Sequence, residues 1–194
     1  MKHVKMLGLL VMAAASLMAF ASSASAAPTL TSPEKVEYTG ELSATLESGT
    51  SALLKAGIED TCTESTAKGT VSVNNETHAE GALSALTFGK CSQDTTVINA
   101  GSLTVKPNGT VATKNSRVEV KVTSLGITCF YGAEATNIDI GTLTPTNVTG
   151  STATMDINTT ELVRLSGSNT TFCASKGTWT GSYKVTTPDT LYLG

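Results

Sequence analysis

Six residues near the middle of the chain, Arg117-Val118-Glu119-Val120-Lys121-Val122, alternate charged and β-branched side chains without a break. Successive side chains on a strand point to opposite faces, whereas a helix would mix the two sets around its surface. The run therefore predicts a half-buried strand, with the three valines on the core face and Arg117, Glu119 and Lys121 towards water. Gly126 then interrupts the pattern, and a second apolar segment, Ile127-Thr128-Cys129, carries a cysteine inward. An earlier stretch has the same grammar: Leu53-Leu54-Lys55-Ala56-Gly57-Ile58, followed by Cys62. The chain reads as two related halves, each with a strand, a Gly-Ile step and a cysteine.

The other segments agree with this period. Residues 35–47 read as strand, bend at Gly40, strand, and 48–50 as a turn. Residues 51–58 form a short apolar run, and 61–73 a strand with Val71 and Val73 in phase. Residues 81–88 fit a strand or a short helix, because Leu83 and Leu86 are spaced as on a helix. Strands are expected at 91–97 and 102–105. Lys106-Pro107-Asn108-Gly109-Thr110 is the clearest turn, since proline presets φ and Asn-Gly accepts the positive φ of a tight reversal. Further strands are expected at 137–143, 151–157 and 177–185, with 162–165 ambiguous and 191–193 closing the chain. Many short strands with Gly, Asn and Pro between them predict an all-β fold, a disulfide-bonded sandwich or barrel of two similar halves. The spacing from Cys62 to Cys129 exceeds the roughly 20–50 residues of solenoid repeats.

The first 26 residues read as a signal peptide: Lys2 and Lys5, an apolar run from Met6 to Phe20, then Ala24-Ser25-Ala26 as an A-x-A cleavage site. That run is shorter than the roughly 20 residues a membrane span needs. Residues 27–34, with Pro28 and Pro33, read as an extended lead-in, and 35–194 as a single β domain. Export predicts an extracellular or cell-surface location. Without Lys2 and Lys5 there are 11 basic and 16 acidic side chains, scattered along the chain. Nucleic acid and anionic lipid both require clustered Lys and Arg, so neither is an expected partner.

Four cysteines, Cys62, Cys91, Cys129 and Cys173, follow the signal segment, and an even number in an exported chain reads as disulfides. Of the three possible pairings, the two-half pattern favours Cys62–Cys91 with Cys129–Cys173. A zinc site is not expected, because Cys-x-x-Cys spacing is absent and His78 is the one histidine beyond the signal segment.

Catalysis has little to work with. His78 lies in the polar segment Asn-Asn-Glu-Thr-His-Ala-Glu, where a solvated loop histidine outweighs a member of a triad, and no G-x-S-x-G elbow occurs. Glu59 or Asp60 could pair with Glu64, Asp139 or Asp156 as glycosidase carboxylates, although adjacent acids before a cysteine more often mark a solvated turn. Calcium would need a denser run of loop carboxylates than the chain offers. Phosphate-cradling glycine motifs are absent, and no cofactor or metal is expected. A sugar-binding face would need two or three outward aromatics; Phe130 and Phe172 flank cysteines and are expected to pack around the bridges, and Trp179 and Tyr183 to share a core face. Asn-x-Ser/Thr sequons occur at Asn75, Asn108, Asn147, Asn158 and Asn169; in a eukaryotic secretory path they would be glycan acceptors, and chance in so threonine-rich a chain explains them equally well.

Ser124-Leu125-Gly126-Ile127-Thr128-Cys129 and Gly177-Thr178-Trp179-Thr180-Gly181-Ser182-Tyr183, with the signal segment and the Thr/Ser/Gly-rich body, carry a resemblance. The chain resembles small exported bacterial β-proteins, the secreted activator-of-alkane-oxidation (PraB-like) group and actinobacterial secreted proteins. The resemblance implies a non-catalytic surface or matrix protein tied to biofilm or hydrophobic-surface growth. Its partners would be other copies of itself or a cell-surface polymer. It supplies no catalytic residues. A carbohydrate- or ligand-binding β-sandwich module is the alternative expectation.

Overall fold

A computed structural model describes residues 27–146 and 151–194. The expected signal segment, 1–26, and the sequon at Asn147 lie outside the described residues. In chain order the strands are β1 (Leu30–Thr31), β2 (Glu41–Leu46), β3 (Ala52–Lys55), β4 (Glu59–Asn74), β5 (Ala79–Cys91), β6 (Asp94–Asn99) and β7 (Ser102–Val105). They continue with β8 (Thr110–Lys114), β9 (Arg117–Val122), β10 (Ile127–Gly132), β11 (Ile138–Thr144), β12 (Thr154–Arg164), β13 (Lys176–Thr187) and β14 (Tyr192–Leu193). The fold is all-β, as expected, and at its centre is a closed barrel of eight strands.

The barrel wall runs β4-β5-β7-β8-β11-β12-β13. Strands β2 and β3 close it together. Each pairs antiparallel with both β13 and β4, β2 within 41–46 and β3 within 52–55. They act as one long strand interrupted by the turn at 47–51. Inside, Ala44, Val71, Val105, Val111, Ile140, Met155, Ile157, Tyr183 and Val185 form the main core.

Two additions cover the ends. The central alternating run is β9, flanked by β6 and β10 in a three-stranded extension that joins the barrel through the pairing of Tyr131 and Gly132 with β12. Val120 is fully buried there and Val122 nearly so. Glu119 departs from expectation: its side chain is only 14% exposed, with its carboxylate 3.2 Å from the Lys121 ammonium. β9 is an inner strand between two neighbours, so its outward face is partly covered by theirs.

At the other end, β1 pairs with β14, Leu30 opposite Leu193. In the lead-in only 30–31 are strand, a turn follows at 33–34, and the segment is docked onto the domain. Leu30 has no exposed surface, and the Asn74 side chain bonds both its N–H and its carbonyl, at 3.0 and 2.7 Å. Leu30 supplies the apolar side chain and Asn74 satisfies the backbone that comes with it.

Both cysteine-bearing segments lie in the one sheet, each with its own bridge. Cys62 is joined to Cys91 and Cys129 to Cys173, the pairing favoured from the sequence. The two Gly-Ile steps share a physical cause, because Gly57 and Gly126 both have positive φ, 80° and 62°, which other residues rarely adopt. At Gly57 a Cβ would also sit 2.6 Å from the Phe172 carbonyl oxygen.

Candidate functional site

The barrel interior is not filled. Two cavities follow one another inside it, of about 60 and 70 Å³. The first is lined by Leu54, Leu86, Phe88, Tyr131, Ile140 and Trp179 among others, near the β6-β9-β10 extension. The second is lined by Leu30, Leu42, Val105, Val111, Val185 and Leu191, towards the β1-β14 end. Ala67, Leu83, Leu103 and Met155 line both and so form the partition between them. Apolar walls of this kind hold water poorly, since a buried water needs two to four polar partners.

The sequence explains how β5 reaches this interior. Leu83, Leu86 and Phe88 all line the first cavity, although the step from Leu83 to Leu86 breaks the two-residue period. The β4–β5 register shifts between Lys68 opposite Ala85 and Gly69 opposite Leu83, leaving Ser84 as an extra residue. That bulge turns Leu83 and Leu86 to the same side. The helix-like spacing is therefore a bulged strand. A second bulge, at Ser72, separates Val71 from Val73, so Val71 is buried and Val73 is 42% exposed rather than in phase.

β5 changes its bonding part-way along the barrel wall. β7 pairs with β5 from Ala79 to Ala82, and the last bond across is from Leu83 N–H to the Gly101 carbonyl, 2.9 Å. Beyond that point β5 is bonded in the sheet on its β4 side. The chain instead turns at 92–93 into β6, which leaves the barrel to pair with β9. The second half of β5 and β6 therefore run near each other without a backbone ladder between them, beside the first cavity.

Asp60 is a buried carboxylate in the wall of the first cavity. Its Oδ1 accepts bonds from the Ser92 hydroxyl (3.1 Å) and the Gln93 N–H (2.9 Å), and its Oδ2 accepts a short bond from the Thr95 hydroxyl. All three donors are neutral. The Asp60 oxygens and the Cys62 and Cys91 sulfurs lie within 4.8 Å of one another, but both sulfurs are spent in the disulfide and cannot ligate a metal as thiolates.

The aromatic residues at 179 and 183 share the core face expected of them. Trp179 contacts Phe88 and Tyr183 edge-on, with ring centroids 5.9 and 6.4 Å away. The Tyr183 hydroxyl donates to Ser65 Oγ at 3.0 Å. Burial pushes its pKa up to about 12, while the Ser65 hydroxyl and the Trp179 indole beside it pull the other way. The indole N–H of Trp179 is buried and makes no bond of ordinary hydrogen-bond geometry.

The second bridge is also internal. Cys129 and Cys173 are buried, and the Tyr131 hydroxyl lies 2.8 Å from the Ala56 carbonyl and 2.9 Å from that of Ala174. Burial raises the Tyr131 pKa, with Arg164 opposing. Phe172 does not pack around the bridge, being 55% exposed, while Phe130 carries the Arg117 guanidinium 4.1 Å above its ring.

The other titratable candidates do not converge on Asp60. Glu59 pairs with Lys55, Glu64 with Lys90 and Asp139 with Lys106, all at the surface, and Asp156 accepts from Ser182. His78 sits in a turn held by the Asn75 side chain, its Nδ1 2.9 Å from the Thr77 hydroxyl. What the sequence did not disclose was the pair of cavities. The available signal was the small inward residues of β4, Ala67 and Gly69, facing Leu83 and Leu86. No family model matches the sequence, and neither a curated protein nor a solved structure is similar to it.

Proposed function

We propose that this chain is an exported, non-catalytic barrel that binds a small apolar molecule in its interior. The observation that carries this is the pair of apolar cavities in line inside the barrel. Eight-stranded barrels are just wide enough either to be filled by side chains or to hold one small ligand. Export rests on the N-terminal segment, and two disulfides suit an oxidising compartment. Among the described residues no helix is long and apolar enough to cross a membrane.

A surface or matrix role, the one implied by the resemblance to PraB-like proteins, is the second reading. Its support is β6, the last strand in the sheet order, whose outer edge carries Ile98 at 53% exposure. Free strand edges recruit other chains. A carbohydrate module has less on its side, because among the described residues Phe172 is the one exposed aromatic.

Thermal melting with benzene, hexane and 1-hexanol tests the first reading. A ligand at a hundredfold excess over its Kd stabilises by about 2.7 kcal/mol. For a chain of this size the Tm should rise by about 5–10 °C with at least one of the three. No rise with any of them would contradict it.

A further inference from the structure

We propose that both cavities take a single ligand, an uncharged single-chain amphiphile, whose head lies beside Asp60. This rests on the apolar-binding reading above and specifies its ligand. The argument for a chain is one of size. Each cavity, about 60 or 70 Å³, is less than half of the roughly 150 Å³ apolar cavity that admits benzene. Together they amount to about 130 Å³, but they lie end to end, so the guest that uses both is slender. The partition allows this. Of its four residues, Ala67 is small, Leu83 is half-buried, and Met155 has an unbranched, adaptable side chain that can swing aside.

The head group follows from the polar groups in the wall of the first cavity. Asp60 is buried, and its three donors, Ser92, Gln93 and Thr95, are all neutral. A carboxylate arriving there would lose its water and be repelled by the acceptor oxygens of Asp60, whose three donors are already engaged. An uncharged oxygen meets no such repulsion. The Trp179 indole N–H, beside the Tyr183 hydroxyl in the wall of the same cavity, makes no bond of ordinary geometry and is a further donor there.

The test uses the mature protein and its single tryptophan, Trp179, whose emission reports filling of the first cavity. Titration with 1-butanol, 1-hexanol and 1-octanol should tighten binding about fourfold per methylene, the equivalent of roughly 0.8 kcal/mol for each buried CH₂. Octanoate at pH 7 should bind at least tenfold more weakly than 1-octanol, and Asp60→Asn should narrow that ratio. Ala67→Leu, which thickens the partition, should abolish the gain from hexanol to octanol and spare butanol. Benzene binding as tightly as octanol, or a gain that stops at butanol, would overturn the single-chain ligand while leaving an apolar site. Octanoate binding as tightly as octanol would overturn the head-group assignment. Silence to every alcohol and to benzene would instead refute the binding reading itself. The comparisons on the unaltered protein decide these outcomes even if either variant fails to fold.

Discussion

Val120→Asp is expected to leave no folded protein. Val120 has no exposed surface and lies between Thr95 of β6 and Cys129 of β10. An aspartate there would put a carboxylate among apolar neighbours, with no cation opposite it in the pairing. The effective penalty for such a charge is several kcal/mol, comparable to the whole stability of a typical domain. Ser124→Asp, in the exposed turn after the same strand, should change stability by no more than about 0.5 kcal/mol. Circular dichroism and chemical denaturation of the two variants check this. If they unfold alike, the inward face of β9 has been misassigned.

Removing the second bridge, with Cys129→Ala and Cys173→Ala together, should cost about 2–5 kcal/mol and lower the Tm by roughly 5–20 °C. This bridge ties β10 to the irregular segment at 165–175 across a separation of 44 residues. That segment is otherwise held by hydrogen bonds, among them Asn169 N–H to the Thr128 carbonyl and Arg164 Nη1 to the Cys173 carbonyl, and none of them reaches Thr171 or Phe172 from outside the segment. Proteolysis should therefore begin between 165 and 175 in the variant. The Cys62–Cys91 bridge joins residues already opposite each other in the long β4–β5 ladder, so its removal should open no such site. Non-reducing peptide mapping of the parent should recover both links, and a Cys62–Cys129 or Cys62–Cys173 peptide would contradict the fold.

Legibility in the sequence tracked the strength of the local signal. The run from Arg117 to Val122 and the turn at 106–110 were plain, because alternation and the Asn-Gly pair act within a few residues. That turn joins β7 to β8, with Gly109 at φ 82°. β8 itself was missed: Thr-Val-Ala-Thr-Lys is short and small, and Ala112 is buried without being large. β5 was ambiguous because its bulge at Ser84 imitates helical spacing. The docking of the lead-in was hidden for another reason: its partners, Asn74 and Leu193, lie far along the chain, and no local pattern encodes them. The candidate site was least legible of all. Side-chain periodicity shows which face of a strand is apolar but not whether opposing faces meet, so an unfilled barrel and a packed one read alike.

The most direct test of the central claim is a crystal structure of the protein under xenon pressure, because xenon enters dry apolar cavities without needing a polar partner. The account predicts xenon on both sides of the partition formed by Ala67, Leu83, Leu103 and Met155. A barrel with no xenon inside it and with those four side chains closing the interior would contradict it.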